Sequence, residues 1–137
     1  MSIVDRIHFE PFEPRHVEGA AGLAKSLGWP SYADPQATRA AFSEPGSITW
    51  VAASREQVIG LAHILTNRVA HAHLSLVGVL PEYRRAGVAK RLIAEAFAQS
   101  RARWLDLWAE PESEAFYRSF QHQEYVGFRI YPGKPAA

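Results

Sequence analysis

Apolar residues recur at two spacings along the chain, and each change of spacing marks a change of element. Ile3 to Phe9 reads as an opening strand. Pro11 and Pro14 close it and start a helix that runs to Leu27, where Gly28 stops it. Val17, Ala20, Ala21, Leu23, Ala24 and Leu27 give that helix a stripe of mostly small apolar residues. Asp34 as cap and Pro35 as first residue predict a second helix to Phe42. Pro45-Gly46 then resets the spacing to that of strands. Ile48 to Ala53, Val58 to Leu65 and His71 to Val79 are apolar runs joined by short polar turns, the pattern of an antiparallel meander. Strict alternation along the third run puts His73, Ser75, Val77 and Val79 on one face and Leu74, Leu76 and Gly78 on the other.

Pro81 ends that run, and a helix begins at Gly87-Val88. Its core face is Val88, Ala89, Leu92, Ile93, Ala96 and Phe97. Trp104 to Trp108 predicts a further strand, with both tryptophans on one face as core or interface residues. Pro111-Glu112-Ser113 opens a short helix carrying Phe116 and Phe120, and Tyr125 to Tyr131 predicts a closing strand with a bulge at Gly127. A loose tail is expected from Pro132 onward. The order defines a mixed α/β (α+β) fold: a mostly antiparallel central sheet with flanking helices, in one domain over residues 1–137.

Composition narrows the chemistry. With 137 residues, 47% of them hydrophobic, the chain has enough apolar surface for one core. Lys and Arg number 15 against 14 Asp and Glu, a net charge of +1, which argues against a nucleic-acid surface. Cysteine is absent, excluding a disulfide framework, a thiolate nucleophile and a cysteine zinc site. Met1 to Glu10 is too charged for a signal peptide, and no run approaches the ~18 apolar residues of a membrane span. A soluble, cytoplasmic protein is the expectation.

The segment that carries chemistry is Val77-Gly78-Val79-Leu80-Pro81-Glu82-Tyr83-Arg84-Arg85-Ala86-Gly87-Val88-Ala89. A strand runs into a turn with two adjacent arginines, and a glycine starts a helix. The first helical turn leaves amide N–H groups unpaired at the positive end of the dipole, where a phosphate binds. Gly87 admits close approach, and Arg84 and Arg85 add charge-assisted contacts. An ordinary solvated turn with a structural glycine is the competing reading. Neither GxGxxG nor GxxxxGK[ST] occurs, so a Rossmann dinucleotide site and a P-loop are disfavoured.

These residues resemble the GNAT family of N-acetyltransferases. Arg84-x-x-Gly87-x-Ala89, after a Val-x-Val strand and Pro81, is similar to the family's acetyl-CoA loop, Q/R-x-x-G-x-G/A. Ala115-Phe116-Tyr117-Arg118-Ser119-Phe120 resembles the block around its catalytic tyrosine. Both blocks occur in the family's order, and the resemblance spans Ile3 to Tyr131. It implies that acetyl-CoA is the co-substrate and that the backbone of Val77 to Val79 holds the pantetheine arm. The third strand of the meander and the Trp104 strand splay apart to admit it, and the amides of Arg84, Arg85, Ala86, Gly87, Val88 and Ala89 hold the pyrophosphate. It further implies direct attack of an amine on the thioester, with Tyr117 as the acid that protonates the departing thiolate. A phenol near pKa ~10 keeps its proton at neutral pH. The family continues Leu-Gly-Phe after the tyrosine helix, whereas this chain has Phe120-Gln121-His122, so the turn after Tyr117 is built differently.

His73 occupies the strand position where relatives place a glutamate base, and an imidazole serves that role near neutral pH. If Thr66 to Ala70 makes a hairpin, His63, His71 and His73 come near one another, and a three-histidine zinc site is a competing reading. The family needs no metal and the sequence makes no acidic second shell evident, so none is expected. Trp29 and Tyr32 lie in the connection that in this family borders the acceptor pocket; covering the core is their alternative role. The expected function is acetylation of a primary amine on a small molecule, with no nucleic-acid or membrane partner and a homodimer by family analogy. The alternative is a CoA-binding sensor or interaction domain without catalysis.

Overall fold

The computed structural model describes residues 6–135. Ile3 to Asp5 of the expected opening strand, with Ala136 and Ala137 of the expected loose tail, lie outside the described residues. The chain divides into two compact units, one up to Asp106 and one from Leu107 onward.

In the first unit, β1 (His8–Pro11) leads through a 3-10 turn, Pro14–His16, into α1 (Val17–Leu27). Buried His16 fixes this junction: its Nδ1 accepts from the Glu13 N–H at 2.9 Å, and its Nε2 lies 2.9 Å from Glu10 Oε1. That bond holds the Glu10 carboxyl below its ordinary pKa. Gly28 ends α1 in the left-handed conformation, φ 76°, with its N–H bonded back to the last turn. Asp34 caps α2 (Pro35–Phe42), accepting from the Ala37 N–H at 3.2 Å. Gly28, Asp34 and Pro35 mark the boundaries they predicted, whereas α1 starts at Val17, after the 3-10 turn that Pro14 opens.

The sheet follows: β2 (Ser47–Ser54), β3 (Gln57–Thr66), β4 (His71–Val79) and, after α3 (Val88–Ser100), β5 (Trp104–Asp106). Strand order is β1-β2-β3-β4-β5; the first three pairings are antiparallel and β4–β5 is parallel. Arg55 and Glu56 join β2 to β3 with both φ angles positive, 51° and 70°, the geometry that matches a twisted hairpin. α3 covers one face, where Leu92 lies 3.2 Å from where a Cβ on Gly60 would sit. α1 covers the other so closely that a Cβ on Gly19 would stand 2.7 Å from Val58 Cγ2. The small residues of α1 let it lie this near to β3.

Strict alternation fails along β4. Ile64 pairs with Leu74 but His63 pairs with Leu76, so Ser75 is an extra residue, a β-bulge. Residues opposite each other in an antiparallel pair share a face. Gly60, Ala62 and Ile64 therefore put Val79, Val77 and Leu74 on the α3 face. Leu61, His63 and Leu65 put Gly78, Leu76 and His73 on the α1 face. His73 does not share a face with Val77 and Val79, as alternation predicted; the bulge reverses the phase between them.

In the second unit, a 3-10 turn, Pro111–Ser113, leads into α4 (Glu114–Arg118). The strand expected over Tyr125 to Tyr131 is not formed, and the one expected over Trp104 to Trp108 ends at Asp106. A strand exists only through its ladder, and the sheet ends at β5. The two tryptophans therefore do not lie on one strand face; each is about half exposed. Among the described residues no helix is long and apolar enough to cross a membrane.

Candidate active site

β4 leads through a 3-10 turn, Pro81–Tyr83, to the start of α3. The turn rises from the strand because Leu80 N–H bonds to Ile59 O at 2.8 Å and Tyr83 N–H returns to Leu80 O at 2.9 Å. Arg84 is extended, Arg85 is left-handed at φ 62°, and Gly87 is left-handed at φ 78° as the residue before α3. No side chain caps this helix, and its first turn holds no acidic residue. The N–H groups of Val88 and Ala89 thus open a thirteen-residue helix with the positive end of its dipole uncovered. An acidic cap would compete with a phosphate there; its absence leaves the turn suited to one.

A Cβ on Gly87 would meet nothing within 4 Å, so its φ rather than crowding within the chain calls for glycine. The two arginines differ in what they do. Arg84 turns back, its Nε donating to Val79 O at 2.8 Å, and so ties the loop to the end of β4. Arg85 is exposed. Val88 is buried beneath the loop, whereas Ala86 and Ala89 are half-buried.

β5 is short, and its pairing with β4 stops early. β5 pairs with β4 only at His71–Trp104, Ala72–Leu105 and His73–Asp106. From Leu74 to Val79, including Val77 and Val79, β4 has β3 on one edge and, among the described residues, no strand of its sheet on the other. Unpaired backbone groups along such an edge suit an amide-bearing chain like the pantetheine arm.

Trp29 reaches this strand from the α1 face. A Cβ on Gly78 would stand 2.7 Å from its Cζ2, so the indole occupies the place a side chain would take. Tyr32 lies farther from β4, stacked on Phe42 with ring centroids 5.6 Å apart and an interplanar angle of 10°. Its carbonyl accepts from Thr38 Oγ1 at 2.8 Å. Both rings are half-buried, and Tyr32 continues into a cluster in which Phe42 sits 4.8 Å from His63. His73, half-buried, shares the α1 face with Gly78.

The three-histidine reading fails on geometry. The Thr66 to Ala70 turn does form a hairpin, but buried His63 bonds through Nδ1 to Thr49 Oγ1 at 2.8 Å. His71 pairs with Asp106, Nε2 to Oδ2 2.8 Å. Among the described residues no three His, Asp or Glu side chains are arranged to hold a metal. Burial pushes the His63 pKa down to about 4, so that the ring stays neutral in the fold.

Tyr117 belongs to the second unit, on α4, half-buried with its ring edge-on to Phe116 at 5.0 Å. Burial raises its phenol pKa, which keeps the proton on the oxygen at neutral pH. The turn after it is built without the family's glycine. Phe120 N–H bonds to Tyr117 O at 3.1 Å, and Arg118 grips Glu124 through Nε and a terminal nitrogen at 3.3 and 3.1 Å. His122 sets one ring nitrogen 2.8 Å from Phe120 O and the other 3.1 Å from Glu124 Oε2. The Phe120 carbonyl, then Glu124, raise its pKa.

Sequence reasoning missed three features: the Gly78–Trp29 contact, the tie from Arg84 to Val79, and the Ser75 bulge. The signal for the first was present, since a glycine inside an apolar strand marks close approach of another group. Single-sequence alternation carries no signal for the bulge.

Residues 10–122 match the model of the Acetyltransferase (GNAT) family. The chain belongs to that family of acetyltransferases, and its mostly antiparallel sheet with a glycine-started helix after β4 is the family's acetyl-CoA-binding fold. Solved structures agree in fold. The aminoglycoside acetyltransferase AAC(6')-Iy, in complex with a bisubstrate analogue, is 23% identical with a TM-score of 0.74, over 91% of this chain and 97% of that one. The aminoglycoside acetyltransferase meta-AAC0020, from an uncultured soil metagenomic sample, is 15% identical with a TM-score of 0.78, over 95% and 98%. A putative acetyltransferase from Deinococcus radiodurans R1 is 20% identical with a TM-score of 0.72, over 99% of each chain. No curated protein matches the sequence.

Proposed function

We propose that the protein transfers the acetyl group of acetyl-CoA directly to a primary amine of a small molecule. The observation that carries this reading is the uncapped start of α3 behind left-handed Gly87, one turn beyond a strand whose edge runs open from Leu74 to Val79. The first feature suits a diphosphate and the second an amide-bearing arm, which together describe CoA. The loop amides of Arg84 to Ala89 hold the pyrophosphate, with Arg85 adding charge. Arg84 braces the loop through Val79.

In the reaction the amine nitrogen attacks the thioester carbonyl, the C–S bond breaks, and Tyr117 gives its proton to the departing sulfur. His73 takes the proton from the amine. Its position on the same face as Gly78, and hence as Trp29, supports an acceptor on the α1 side. Trp29 and Tyr32 border that acceptor. Two of the similar structures are named aminoglycoside acetyltransferases, one bound to a CoA-linked bisubstrate analogue, which supports an amine-bearing small molecule as the class of acceptor.

The test is a panel of primary amines incubated with acetyl-CoA, reading free thiol release, beside calorimetric titration of CoA. CoA binding with amine-dependent thiol release is the expected result. No CoA binding at millimolar ligand overturns the reading. CoA binding without turnover on any amine, and no change in Tyr117→Phe, gives instead a CoA-binding module without catalysis.

A further inference from the structure

A cavity of about 520 Å³ lies within the first unit, walled by β1, the turn between β2 and β3, and α3. That is room for a small ligand. β1 and β4 are three strand spacings apart in the sheet, roughly 14 Å, so the cavity is remote from the Leu74–Val79 edge. Ile7 and Ala53 supply its apolar part. Its charges fall into two groups. Arg15 and Glu10 are already engaged: Arg15 holds Glu10 and Glu13 at 2.8 Å each, and Glu10 also holds His16. Arg55 and Glu56 make no ion pair among the described residues. Arg91 sits 4.3 Å over the Phe9 ring, and its ion pair with Glu95 is 3.9 Å long, beyond hydrogen-bond reach. Two guanidiniums and one carboxylate thus border the cavity with their strong hydrogen bonds unspent. The turn itself points the same way. Arg55 and Glu56 are both left-handed, φ 51° and 70°, where Asn-Gly is the relaxed choice for a two-residue hairpin. The chain keeps a strained pair there, and both of its charges line the cavity.

We propose that this cavity binds a free aliphatic α-amino acid as its zwitterion. The carboxylate bridges Arg55 and Arg91, the ammonium meets Glu56, and the side chain rests on Ile7 and Ala53. A zwitterion satisfies both signs of unspent charge, whereas a simple anion sets its own charge beside Glu56 and a simple amine sets its charge beside two guanidiniums. The Phe9 ring under Arg91 holds the guanidinium in place before the ligand arrives, which lowers the cost of ordering it. This is a second ligand site, separate from that of the acetyl acceptor, and the proposal is independent of the acetyl-transfer reading.

The experiment titrates L-leucine into the isotope-labelled full chain and follows backbone amide shifts by NMR. Shifts at Phe9, Ala53, Arg55 and Glu56 should saturate, while the amides of Val88 and Ala89 stay where they are. Isocaproate, which lacks the ammonium, and isoamylamine, which lacks the carboxylate, should each bind about tenfold or more weakly, as losing a charge-assisted bond implies. Arg55→Ala and Glu56→Gln should weaken leucine by a similar factor. Arg55→Asn combined with Glu56→Gly should abolish the saturation yet raise the thermal midpoint, since the turn relaxes, and that rise shows the fold intact. No saturable shift up to the solubility of leucine overturns the proposal. So does isocaproate binding as tightly as leucine, or the double variant binding leucine as the wild type does. Saturable shifts at Val88 and Ala89 in place of the turn put leucine in the candidate active site and equally overturn it.

Discussion

The Trp29 indole lies against Gly78: a methyl group there would stand 2.7 Å from Cζ2 of the ring and 2.6 Å from Leu27 Cδ1. Neither distance is tolerated by real side chains, so Gly78→Ala must displace the ring, the helix end or the strand. The expected cost is ~1–3 kcal/mol, as for overpacking elsewhere, measured by chemical denaturation. In a Trp29→Ala background the same change should cost less, because one of the two obstructing groups is gone. An unchanged cost would place the strain on Leu27 alone. Trp29→Ala by itself should raise the amine KM and leave CoA affinity nearly unaltered. A collapse of the thermal midpoint in that variant would return Trp29 to a purely packing role.

Gly87 makes a different kind of demand. Its surroundings are open but its φ is +78°, so any L side chain there is strained by roughly 1–2 kcal/mol. Gly87→Val should therefore lower CoA affinity through loss of the loop's shape, and calorimetric titration should register a fall of tenfold or more. Gly87→Asn, which tolerates the left-handed region better, should recover part of it. Equal affinity in all three proteins would mean the pyrophosphate is held elsewhere.

Local chemistry was legible where a single residue decides a local conformation. Gly28, Asp34 and Pro35 predicted helix boundaries that the structure reproduces, and the polar turns at Arg55 and Thr66 predicted the meander. Pairing partners decide the rest, and a sequence does not display them. The Ser75 bulge exists through its register with β3, and it sends His73 to the face opposite Val77. Tyr125 to Tyr131 has a strand's composition yet forms none, because composition supplies no ladder. Within the site, the sequence offered Arg84 as a phosphate ligand and carried no signal that its Nε also bonds to Val79 O. A charged side chain beside a strand end has a backbone acceptor within reach as well as a ligand.

Tyr117→Phe removes one hydroxyl and keeps the ring that packs on Phe116. Stability and CoA affinity should barely move, while kcat should fall by the ~10²–10⁴-fold typical of a positioned proton donor. Because burial raises the phenol pKa, wild-type activity should show no loss from Tyr117 ionisation until the solution is more alkaline than an ordinary tyrosine requires. An unchanged kcat in the variant would dismiss Tyr117 as the acid. Beside it, His73→Gln should remove the acid-side fall in kcat/KM that a histidine base imposes, and an unaltered profile would assign His73 a structural role.

The last prediction concerns acid stability and rests on His63, buried with its Nδ1 on Thr49 Oγ1 and its ring against Phe42. Its pKa is about 4 in the folded chain, against the ordinary 6.5. Between those values the unfolded chain takes up a proton that the folded chain refuses, so stability rises with pH across the window. The contribution is complete above pH 6.5 and is lost as pH falls toward 4. A shift of that size corresponds to roughly 3 kcal/mol. Urea denaturation from pH 7 to 4 should show the loss in wild type and a flatter profile in His63→Leu combined with Thr49→Val, which removes the ring and its hydroxyl partner together. The Glu10 carboxyl, held below its ordinary pKa by His16, contributes its own acid-side loss and is present in both proteins, so the difference between the two profiles isolates His63. Parallel profiles would show that the ring takes up its proton without unfolding, through rearrangement around Thr49 and Phe42.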